Sequence, residues 1–160
     1  MTLLQRLDAA FPDRGLPPSE ALVVFDGFDQ PAKEYAVGIF GGKTRDQLRA
    51  LVGKGPSGVE GLWGIEDLEV LESAGLQYYA EPFLRFLLTE EFEDPEDFSY
   101  FLMYHLAEVV RCRGPEIFTD AQRRFLIDLA RQLADQIIGD NDWRTAQRGH
   151  CRSLIERLGS

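Results

Sequence analysis

The fold is decided by residues 94–109, which read DPEDFSYFLMYHLAEV. Asp94 is a residue type that caps helices, and Pro95 suits the first helical position. One histidine and five apolar side chains then recur at helical spacing: Phe98, Phe101, Leu102, His105, Leu106 and Val109. This spacing puts them on one face of an α-helix, so the stretch predicts a helix that packs against a core.

Similar signals recur on both sides of this stretch. Capping boxes at Thr44–Gln47 and Thr119–Gln122 predict two helix starts. Further helical patterns cover residues 2–10, 31–40, 66–74, 78–88, 120–138 and 143–158. For 31–40 we favour a helix over a strand, and Ala21–Phe25 fits a strand or a buried extended segment. The sequence therefore predicts a mainly α fold: a compact multi-helix domain of five to seven helices, with at most a minor β-hairpin near residues 20–40.

Two details of these helices follow from glycine placement and periodicity. Gly75 is expected to separate the patterns at 66–74 and 78–88. On the last helix, Trp143 is expected to be buried together with His150 or Cys151. The length of 160 residues fits one domain, so we predict a single helical domain over residues 1–160.

The composition excludes several classes of partner. The chain contains 17 Lys and Arg against 27 Asp and Glu, a formal charge of −10, with a pI near 4.7. Such an excess of acids argues against nucleic-acid binding and against docking on anionic lipid. Two cysteines predict reduced thiols rather than a disulfide framework. Because the sequence has no signal-peptide pattern and no apolar run near the ~20 residues of a membrane span, we expect a cytoplasmic location.

The acidic residues are concentrated in one segment. Residues 60–97 hold twelve acids and one base, Arg85, and so have a net charge of −11. The rest of the chain, with 15 acids and 16 bases, has a net charge of +1. We call residues 90–97 the acidic run, because six of its eight residues are carboxylates.

The acidic run has two interpretations. It is either a solvated loop that leads into a helix start, where acids favour the helix dipole, or a surface that captures a basic partner. Phe92 is a candidate anchor within it, since Phe98 belongs to the helical stripe. On the second interpretation the partner-binding residues are Glu90, Glu91, Phe92, Glu93, Asp94, Glu96 and Asp97.

The sequence contains no complete catalytic or cofactor motif. Residues 38–44 (GIFGGKT) approach a phosphate loop, but Val37 stands where that loop needs a glycine. Thr145 replaces the glycine of a calcium loop in residues 140–145. The spacing of zinc ligands is missing from the set His105, Cys112, His150 and Cys151. We therefore predict no metal, no cofactor and no enzymatic activity.

Three short motifs carry a resemblance to known proteins. The order of FGGKT at 40–44, LQYYAEPFL at 76–84 and FTDAQ at 118–122 resembles a family of small bacterial proteins of unknown function. The resemblance covers residues 31–138, and its motifs are structural, so it implies no catalytic residue. Compact acidic helical proteins of this size are also similar to bacterial immunity proteins, which neutralise secreted toxins by binding them.

Three hypotheses for function remain open at this point. The first is a cytoplasmic protein-binding module, an immunity protein that neutralises a basic toxin by stoichiometric occlusion through an acidic face. The second is an enzyme or a small-ligand-binding domain with a site near His105, together with Tyr104 and Cys112. The third is a structural subunit whose apolar helix faces form an oligomer.

Overall fold

Seven α-helices make up most of the part of the chain that the structure describes. This computed structural model describes residues 1–18, 22, 28–52, 64–89 and 95–159, with residues 95–97 described by their backbone. The helices run over Leu3–Ala10 (α1), Gln30–Phe40 (α2), Arg45–Arg49 (α3), Ser73–Thr89 (α4), Pro95–Arg113 (α5), Asp120–Gln136 (α6) and Asp142–Gly159 (α7). Short 3₁₀ helices cover Glu66–Val70 and Pro115–Ile117.

The prediction of a mainly α fold with five to seven helices is confirmed, and these ranges contain no strand. The favoured helix at 31–40 is present as α2, which is capped by the Asp29 side chain. The remaining part of the possible hairpin, at 19–21 and 23–27, lies outside the described residues. Residues 53–63 lie outside them as well.

The chain folds as two compact units, Met1–Ala10 with Glu91–Ser160, and Phe11–Glu90. A single domain over residues 1–160 therefore stays a prediction.

The unit that contains both termini packs α1, α5, α6 and α7 around one core. The predicted stripe of α5 is buried at Phe98, Leu102, Leu106 and Val109, while Phe101 and His105 are half-buried. Apolar residues of α6 and α7 complete the core: Phe125, Leu126, Leu129, Cys151, Leu154 and Leu158. One buried polar contact crosses this core, in which Gln147 Nε2 donates to Ser99 Oγ at 2.8 Å.

Helix starts in both units follow the predicted capping chemistry. The capping box at Thr119 begins α6, and the one at Thr44 begins the short α3, with side-chain and backbone hydrogen bonds present in both. Gly114 has a φ of 88° directly after α5. A left-handed residue after a helix favours glycine, so a glycine at this position fits the end of α5.

The second unit differs from the prediction around Gly75. The pattern at 66–74 forms a 3₁₀ helix over Glu66–Val70, and α4 begins at Ser73 and continues through Gly75. A Cβ at Gly75 would lie 3.1 Å from the backbone oxygen of Leu22. The expected break at Gly75 is therefore wrong, because this glycine allows another segment to approach the helix closely rather than ending it.

Candidate functional site

The predicted partner-binding residues lie largely beyond what the structure describes. Glu90, Glu91, Phe92, Glu93 and Asp94 are outside the described residues, as are the side chains of Glu96 and Asp97. The backbone at 95–97 is helical, and α5 begins at Pro95. The acidic run therefore ends within the first turn of α5, as the Asp-Pro signal predicts.

Five further acids of the 60–97 segment are described, and they divide into two groups. Glu66 is exposed, and Glu69 and Glu72 are partly exposed. Asp67 and Glu81 are buried in the second unit. Only part of the segment's negative charge can therefore reach a partner.

Glu81 is at the centre of a buried charge cluster. Its side chain is 1% exposed, and Oε1 accepts hydrogen bonds from Arg49 Nη2 at 2.6 Å and Arg85 Nε at 2.5 Å. The Nε atom of Arg45 lies 4.0 Å from Glu81 Oε2. Three arginines thus surround one carboxylate, which sequence reasoning counted as part of an acidic surface.

Arg45 is held almost entirely by backbone carbonyls. Its guanidinium donates to the carbonyl oxygens of Tyr78 at 2.8 Å, Phe11 at 2.6 Å and Gln77 at 3.3 Å. Burial lowers the pKa of Arg45, and the charge of Glu81 opposes this shift. These bonds join α3 to α4 and to the chain at Phe11, which indicates a structural role for the cluster.

A second group of side chains lies along α5 and α7 in the first unit. We define the aromatic ladder as Tyr100, Tyr104, Trp143 and His150. The rings of Tyr100 and Trp143 are stacked, with centroids 4.0 Å apart and planes 12° apart. The His150 ring meets Tyr100 edge to face at 4.6 Å and Tyr104 at 5.1 Å. The ladder is therefore a continuous row of rings contributed by two helices.

The aromatic ladder is accessible to solvent along part of its length. Tyr104 and Trp143 are each 39% exposed, whereas Tyr100 and His150 are half-buried. The expected burial of Trp143 is wrong, because its ring stacks on Tyr100 at the helix pair's surface instead of entering the core. Cys151 takes the buried position beside His150.

The alternative site near His105 gains little support from its geometry. His105 is half-buried with its ring 5.0 Å from Tyr104, and Cys112 is exposed. Glu108 lies between them on α5 and pairs with Arg111. The Nε atom of Arg111 is 3.1 Å from each carboxylate oxygen of Glu108, and its Nη2 atom donates to Oε2 at 2.9 Å. A shallow depression of about 300 Å³ is lined by other residues, on α6 and at the end of α7: Asp120, Arg123, Arg124, Ile127, Leu158 and Gly159.

The structure also bears on the cysteine, on metal ligands and on membrane-spanning helices. Burial raises the pKa of the Cys151 thiol to about 11, which keeps it protonated and unreactive at neutral pH. Within the described ranges, no three His, Cys, Asp or Glu side chains gather as metal ligands. None of the described helices has the length and apolar character needed to cross a bilayer.

Sequence reasoning missed the ladder although part of its signal is visible. Tyr100 and Tyr104 are four residues apart on one predicted helix, and Trp143 and His150 are seven apart on another. These spacings put each pair on one helix face. Which two faces meet depends on the packing of α5 against α7, and no spacing in the sequence encodes that.

Comparison of this chain with protein-family models, with curated proteins and with solved structures found no match.

Proposed function

We infer that this chain is a protein-binding module that captures a basic protein stoichiometrically, as an immunity protein occludes a toxin. The observation that carries this inference is the net charge of −11 in residues 60–97 against +1 in the rest of the chain. A concentrated field of one sign accelerates encounter with partners of opposite sign and selects them. The proposed partner-binding residues are Glu90, Glu91, Phe92, Glu93, Asp94, Glu96 and Asp97.

The charge cluster around Glu81 supports this assignment. Arg85 is the one base of the 60–97 segment, and its Nε atom is directed at the buried carboxylate of Glu81. Arg85 therefore binds an acid of the interior. Glu66, Glu69 and Glu72 keep some exposure, so they carry part of the segment's negative charge at the surface of their own unit.

The proposed place of action is the cytoplasm. Both cysteines are free thiols, one exposed and one buried. A basic partner encountered in a reducing compartment fits this chemistry.

Charge reversal tests the proposal. In one variant Glu90, Glu91, Glu93 and Glu96 become lysine. Four reversals of two charges each take the formal charge from −10 to −2. Immobilised wild-type and variant proteins are exposed to a lysate of the native host at low and high salt, and the captured proteins are identified. We expect the wild type to retain a basic protein, with a salt-sensitive affinity that falls by at least about tenfold in the variant.

A matched control separates the position of the charges from their number. The substitutions Glu34→Lys, Glu116→Lys, Asp135→Lys and Glu156→Lys change four exposed acids outside residues 60–97 and give the same formal charge of −2. This control should bind like the wild type. Equal binding by the wild type and the acidic-run variant would remove the basis of the proposal.

A further inference from the structure

We draw no further inference here: the strongest candidate, the aromatic ladder of α5 and α7 with the exposed rings of Tyr104 and Trp143, carries no proposal because nothing in the described residues shows what covers it.

Discussion

The imidazole of His150 occupies a place where a positive charge is poorly accommodated. Its Nε2 atom is buried and has no hydrogen-bond partner among the described residues. Burial lowers the pKa of His150 below its ordinary 6.5, the charge of Glu108 raises it in opposition, and His105 adds to the lowering. The neighbouring Tyr100 and Tyr104 rings contribute edge contacts but no counter-charge. The folded protein therefore favours the neutral ring.

This environment predicts a loss of stability in mild acid. Because the folded-state pKa lies below 6.5, the unfolded chain takes up the proton first as pH falls. The full stability is present above that value and decreases below it. We expect the free energy of unfolding, measured with urea at about pH 7.5 and about pH 5, to fall more for the wild type than for His150→Gln.

Removal of the opposing charge provides the control for His150. Glu108→Gln should steepen the loss of stability in the wild-type background, since it deletes the charge that raises the pKa of His150. It should have a smaller effect when His150 is already glutamine. Parallel pH profiles for the wild type and His150→Gln would contradict the assignment.

Residue by residue, the sequence located little of the candidate site. It marked Phe92 as an aromatic anchor and Trp143 as a core residue, yet Trp143 is 39% exposed in a ring stack. It counted Glu81 with the surface acids, although this side chain is 1% exposed. Both differences arise because solvent exposure depends on which helix faces meet, and local spacing does not determine that.

At the scale of elements, α3 and α4 are joined by charge as well as by apolar packing. Arg49 reaches from α3, and Arg85 from the next turn of α4, to the same oxygen of Glu81. A buried carboxylate of this kind is costly to desolvate and is retained when its partners are in place. Removal of Glu81 would take the shared carboxylate away from three buried or half-buried guanidinium groups.

We therefore expect Glu81→Ala to destabilise the protein by about 3–5 kcal/mol, the range for breaking a buried ion pair from one side. Asp46→Asn is the matched control, because it removes the exposed partner of Arg49, whose ion pair spans 2.7 Å. Exposed pairs contribute about 0–1 kcal/mol. Denaturant unfolding measures both variants, and a loss for Glu81→Ala as small as that for Asp46→Asn would show that the cluster does not join the helices.

The elements themselves were largely predictable, because local chemistry fixes their ends. The capping boxes at Thr44 and Thr119 and the Pro95 start all lie where the residue types predict. The exception is α4, where Gly75 looks like a helix end in the sequence. Glycine fits this position because the backbone of Leu22, more than 50 residues away in sequence, approaches the helix closely. Tertiary contact here overrides local preference.

For the whole molecule, the uneven charge affects stability independently of any partner. Six carboxylates within the eight residues of the acidic run repel one another, and the only base of the 60–97 segment, Arg85, is directed at Glu81. Acids near the N-terminus of α5 gain some compensation from the helix dipole. Self-repulsion of this kind opposes the compact state and is reduced by salt.

Salt should therefore stabilise the free protein. The size of this effect should depend on whether the acids of the acidic run or acids elsewhere in the chain are reversed. Between about 0.01 M and about 0.15 M ionic strength the Debye length falls from about 30 Å to about 8 Å. We expect the wild-type Tm to rise by about 2–4 °C, which corresponds to about 1 kcal/mol for a chain of this size. The variant with lysine at Glu90, Glu91, Glu93 and Glu96 should respond less, because the run then holds four lysines and two aspartates and its net charge falls in magnitude from −6 to +2. The control reversed at Glu34, Glu116, Asp135 and Glu156 should keep the wild-type response, although its formal charge is the same −2. If both variants lose the salt response equally, net charge governs stability and the local density of the acidic run does not.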